Sequence, residues 1–281
     1  MTPTLISPTH CHLGEGPLWH PGRGQLFWFD ILGKRLLTIE DGRQMHWELG
    51  EHGSAAGWID DDTLLIATET GLDRFDIATG ARTRLTDLEA DDPLTRSNDG
   101  RADPWSGFWI GTMAKDKTAG AGAIYRYYRG ELRRLHPGIT IPNSICFAPD
   151  RPLAYFADTP TRRVMRQPLD PETGWPVAAP EVFLDLRTEG LNPDGAVTDA
   201  EGCLWSAQWG ASRVARYSPA GAYLSAIGLP TLQVSCPAFG GADLKTLFAT
   251  TASEDHEDAH SGQTFAVPVD ATGLPEPRVI P

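Results

Sequence analysis

The chain has 281 residues, of which 41% are hydrophobic and 22% charged, an ordinary globular composition. Its 24 Lys and Arg against 37 Asp and Glu give a formal net charge of -13. Such a field repels polyphosphate and anionic membrane surfaces, so neither nucleic acid nor membrane is an expected partner. The N-terminal segment carries neither a basic region nor an apolar core, and no apolar stretch approaches the ~20 residues that cross a bilayer. The expectation is a soluble, cytoplasmic monomer.

Taken in chain order, the predicted elements are short strands. Glycine (29) and proline (23) punctuate runs rich in Val, Ile, Leu, Trp, Phe and Tyr. Residues 16–20 read as a strand and residues 21–24 as a turn. The Phe27-Trp28-Phe29 run centres a second strand over 25–30. A third follows over 34–40, then the turn Asp41-Gly42 and a fourth strand through 45–49. The same plan returns over 56–85 and 99–135, and in copies around Ser144-Ile-Cys-Phe, Gly195-Ala-Val-Thr and Cys236-Pro-Ala-Phe. A period of about 40–50 residues marks blade repeats. The predicted fold is therefore all-β, a six-bladed β-propeller of four-stranded antiparallel blades spanning residues 1–281 as one domain. The termini complete one blade between them, with residues 3–10 or 276–280 as its outer strand. Cys11, Cys146, Cys203 and Cys236 show no CxxC spacing and read as small buried apolar residues.

Aligning the repeats on the aromatic residue of each second strand exposes a candidate site. Glu15, Asn98, Asn143 and Asp194 fall 11 to 13 positions before Trp28, Trp109, Tyr155 and Trp205. Each opens an innermost strand, and innermost strands converge on the axis. Blades two and six carry Ser54 and Cys236 at that register, neither with the look of a ligand. Two carboxylates and two amides converging from four blades suit a divalent cation bound through oxygen: calcium, magnesium, manganese, zinc or iron(II). Taken singly, each is also an ordinary turn or capping residue. The loops after the second strands, residues 114–122, 158–162, 208–212 and 252–262, should overhang this point. They carry Lys115, Asp116, Trp209 and an acidic run with His256 and His260 four apart, which reads as a solvated loop.

These residues resemble the senescence-marker-protein/gluconolactonase family, also called regucalcin-like. The matching segments are Leu-Gly-Glu15-Gly-Pro-Leu-Trp, Arg96-Ser-Asn98-Asp-Gly-Arg-Ala-Asp103-Pro, Trp-Ile-Gly111-Thr-Met113, Asn143, Pro193-Asp194-Gly195 and Cys-Pro-Ala-Phe239-Gly-Gly-Ala-Asp243. They run in family order over nearly the whole chain. The resemblance implies a six-bladed propeller with one axial divalent metal held by Glu15, Asn143 and Asp194. It implies that Asn98 contacts metal-bound water or substrate, that Arg96 binds substrate oxygens, and that Asp116 lies near a position, usually Glu, that receives sugar hydroxyls. Pro142-Asn143-Ser144 departs from the Asn-Gly of many members.

The implied activity is opening of a sugar lactone. Asp194 would be general base as well as ligand, Arg96 and Asn98 would steady the oxyanion, and Trp209 and Asp116 would hold the sugar. No Ser-His-Asp or Cys-His set recurs at the axial register, which disfavours an acyl-enzyme. A phosphotriesterase-like or other ester hydrolase, and a non-catalytic metal-binding propeller, are the competing readings.

Overall fold

In the computed structural model, which describes residues 2–281, six antiparallel four-stranded sheets are arranged in a ring. The six inner strands are Gly14–His20, Gly53–Asp60, Thr95–Ala102, Pro142–Phe147, Asn192–Thr198 and Val234–Gly240. Each packs on the next, and the sixth returns to the first, so no sheet face is left open. Among the described residues the only helical element is a 3-10 turn, Thr159–Thr161, and no helix is long and apolar enough to cross a membrane.

Strand periodicity explains why the blades stick. Successive side chains point to opposite faces, and in a propeller both faces of a blade are buried. The apolar runs are therefore continuous rather than alternating. Phe27 and Phe29 pack toward blade two with Ile66 and Phe75, whereas Trp28 between them packs toward blade six with Phe248. Trp109 likewise faces blade four while Phe108 and Ile110 face blade two. Six such apolar clusters fill the six interfaces between blades. All four cysteines are free and buried.

Thr4–Ser7 closes the ring, pairing antiparallel with Thr264–Pro268 as the outer strand of blade six. Of the two segments predicted for that role, the N-terminal one takes it. The C-terminal segment instead crosses the far end of the axis. The Glu276 carbonyl accepts from Trp58 Nε1 at 2.8 Å, and Val279 N donates to Trp58 O at 2.9 Å. The Glu276 carboxylate pairs with Arg101, both side chains being under a tenth exposed. At this end of the molecule Asp103 and Asp199 fold the turns that leave their inner strands. Asp103 Oδ1 accepts from Trp105 N and Gly107 N, and Asp199 Oδ1 from Glu201 N and Cys203 N. Each other oxygen takes an arginine from the blade's third strand, Arg126 or Arg216.

Removing one partner of a buried ion pair leaves the other charge dry and unpaired, at a cost of about 3–5 kcal/mol. Glu276→Ala should thus lower the thermal midpoint by roughly 10 °C. Arg166→Ala breaks a solvent-exposed pair with Glu181 and should cost less than about 1 kcal/mol. Calorimetric unfolding of the two variants checks the contrast.

Candidate active site

The site is built by an irregularity repeated six times. Each inner strand slips by one residue against its neighbour near its start: after Glu15, Gly53, Ser97, Asn143, Pro193 and Val234. A bulge of this kind turns a side chain out of the sheet plane. Glu15 and Asn143 are the last residues paired before it, and Asn98 and Asp194 the first left unpaired within it. The uneven spacing to the second-strand aromatics reflects this difference. Gly16 sits at φ +55, and a Cβ there would lie 2.2 Å from Ser54 O. Ser144 occupies the same left-handed region at φ 58, and its Oγ donates to Asp194 O at 2.5 Å. That bond ties blade four to blade five.

The bulges gather Glu15, Arg96, Asn98, Asn143 and Asp194 around one cavity on the axis. All five are under a tenth exposed. The four overhanging loops each add a wall residue, Lys117, Thr159, Trp209 and Glu254. A chain of hydrogen bonds orients the amides. Arg96 Nη1 donates to Asn98 Oδ1 at 2.8 Å, and Asn98 Nδ2 donates to Pro142 O at 2.9 Å and Asn143 Oδ1 at 3.2 Å. Asn143 Nδ2 donates to Thr159 Oγ1 at 2.8 Å, and that hydroxyl donates to Pro193 O at 2.8 Å. The Asn143 carbonyl oxygen is thereby turned toward the cavity. Asn98 spends its amide N–H groups on its neighbours, so it holds Arg96 and Asn143 in place.

The electrostatics are unbalanced. Burial, and then the charge of Asp99, push the Glu15 carboxyl up to about 8. Burial, and then the charge of Glu15, hold Asp194 well above the ordinary carboxylate range. Among the described residues no arginine or lysine forms an ion pair with either. Arg96, drawn down to about 10 by burial, gives its Nη1 to Ser97 O and Asn98 Oδ1 instead. A divalent cation between the two carboxylates would cancel their repulsion and restore both to the ionised form. Two carboxylates and an amide carbonyl are an all-oxygen donor set of the kind hard cations take. The residues fit such a metal.

Of the predicted site residues, Asp116 does not line the cavity. Asp116 is exposed and turned back on its own loop, its Oδ1 accepting from Thr118 N at 3.0 Å and Thr118 Oγ1 at 2.7 Å. The next residue, Lys117, lines the cavity instead, and Lys115 is held by Glu69 at 3.0 Å. His256 and His260 stand on no helix: His256 pairs with Asp258 at 3.3 Å and His260 Nδ1 meets Gln263 Oε1 at 2.9 Å. Ser54 bridges blades through Ser97 Oγ at 2.8 Å. Asp199, Glu201 and Cys203 also cluster closely enough to suggest a metal. Arg216 already neutralises that group, at 2.7 Å from Asp199 and 2.6 Å from Glu201, so it is part of the blade-five turn. Thr159, Lys117 and Glu254 were not singled out by sequence, because rim loops carry no repeat to align.

A closed propeller with an acidic, arginine-flanked cavity at one end of its axis defines the class, and comparison places the chain within it. Residues 13–253 match the model of the SMP-30/Gluconolactonase/LRE-like region. The chain belongs to that family. It is 35% identical to a 6-deoxy-6-sulfogluconolactonase of Pseudomonas putida, over 94% of each chain. It is 37% identical to a pentonolactonase of Haloferax volcanii, over 99% of this chain and 98% of that one. A solved structure described as a calcium-binding protein, regucalcin, of Agrobacterium tumefaciens superposes with a TM-score of 0.97 at 40% identity, covering 100% of this chain and 98% of that one.

Partners that orient a metal-ligating group typically affect affinity 10–100-fold, as a rough range. Thr159→Val removes the acceptor that turns Asn143 and should weaken manganese binding by about that much, while Thr159→Ser should retain it. Isothermal titration calorimetry with manganese(II) reads the difference.

Proposed function

We propose that this protein is a metal-dependent hydrolase that opens sugar lactones to the corresponding sugar acids. The observation that carries the reading is the pair of buried, uncompensated carboxylates, Glu15 and Asp194, sharing a cavity with Arg96. The names of the P. putida and H. volcanii relatives, both lactonases, support the same chemistry. Glu15, Asn143 and Asp194 would hold the cation. When bound, it would polarise the ester carbonyl and lower the pKa of water.

The chain's own residues supply the rest. Asp194, at the bulge, accepts the proton of the attacking water and returns it to the ring oxygen as the C–O bond breaks. Among the described residues Arg96 commits only Nη1 to protein acceptors. Its remaining N–H groups are free to stabilise the oxyanion of the tetrahedral intermediate. Asn98 positions Arg96 through the 2.8 Å bond to its side-chain carbonyl. Trp209, half-buried at the wall, offers an apolar surface to the sugar's C–H face. Asp116 remains outside this assignment. Among the described residues that line the cavity there is no histidine, serine or cysteine, and the hydrolysis proceeds by direct attack of water. The protein is taken to work as a cytoplasmic monomer whose whole ring forms one domain.

Aldonolactone hydrolysis followed with a pH indicator tests the proposal. The protein should turn over lactone, lose activity on chelation and regain it with manganese or calcium. Asp194→Asn and Glu15→Gln should each lose at least about 100-fold in kcat, the scale of a missing general base. Wild-type rates in both variants would contradict the assignment.

A further inference from the structure

Blades three and six face each other across the ring, because the inner strands follow chain order and the sixth closes on the first. Their rim loops nevertheless meet. Lys117 Nζ, in the loop after Phe108–Ala114, lies 3.0 Å from Glu254 Oε1, in the loop after Thr246–Thr251. Both line the cavity that holds Glu15, Asn143 and Asp194. The ion pair thus bridges the mouth from opposite sides, above the buried floor. Its side chains are 46% and 22% exposed, and water screens a pair so placed, so it contributes little to stability. The loops are anchored independently of it: Lys117 N donates to Ala114 O at 2.9 Å, and the Glu254 carbonyl accepts from Gln233 Nε2.

We propose that Lys117 and Glu254 are the specificity-determining pair of this cavity: they part to admit a lactone and then bind the hydroxyl of its exocyclic hydroxymethyl group. Lys117 donates to this hydroxyl and Glu254 accepts from it. The inference rests on the lactonase reading above and names the substrate class within it. Once parted, both charges need new partners, and a hydroxyl can accept from one and donate to the other. A lactone without that group leaves both charges unpaired. An anionic substituent satisfies Lys117 but is repelled by Glu254.

The test compares kcat/KM for D-glucono-1,5-lactone and D-xylono-1,5-lactone, which share the ring and differ by the exocyclic hydroxymethyl group. Wild type should favour the gluconolactone. In Lys117→Met and Glu254→Gln that preference should fall about tenfold or more, mainly through KM, and the double variant should fall little further than the worse single one. An unmoved ratio in both variants, or a loss of the same size on both lactones, would overturn the assignment while leaving the lactonase reading intact. A wild-type protein that hydrolyses neither lactone would remove that reading and this inference together.

Discussion

Two like charges buried side by side are the constraint around which this molecule is organised. Glu15 and Asp194 come from blades one and five and sit about equally deep; burial and then Asp99 raise the proton affinity of Glu15, and burial and then Glu15 raise that of Asp194. A fold gains nothing from such a pair by itself, since a dry carboxylate without a partner is destabilising. The arrangement becomes reasonable once a divalent cation is the missing partner. The surrounding hydrogen bonds serve the same end. The Asn143 carbonyl oxygen is turned inward by Thr159, and Arg96 is held beside the acids without being spent on them.

The propeller makes this tolerable because stability is generated elsewhere. Six apolar clusters between blades and the pairing of Thr4–Ser7 with the last strand hold the ring closed. The far end of the axis is crossed by the C-terminal segment, anchored by the Arg101–Glu276 pair. The near end is left to irregular loops. Bulges at the start of every inner strand are the junction between the two regimes: sheet pairing resumes beyond them, and the site's side chains project from them.

The fold and the floor of the site were legible in the sequence because both are periodic. Repeated strands revealed six blades, and a polar residue recurring before the second-strand aromatic in four of them pointed to Glu15, Asn98, Asn143 and Asp194. What was not legible lies where periodicity stops. Asp116 and Lys117 differ by one position, and only the turn at Lys117, with its φ of 62, decides which enters the cavity. Glu254 belongs to an acidic run that reads as solvated surface, and its partner is 137 residues away. Either terminus could have closed the ring. Backbone pairing selects Thr4–Ser7, while Glu276 finds Arg101 on the other side of the molecule.

The most direct measurement is anomalous diffraction from crystals of the protein grown with manganese(II). The account predicts one strong peak on the axis, within roughly 2.0–2.6 Å of side-chain oxygens of Glu15, Asn143 and Asp194. Density at that point only from water, or a peak at Asp199 and Glu201 instead, would contradict it.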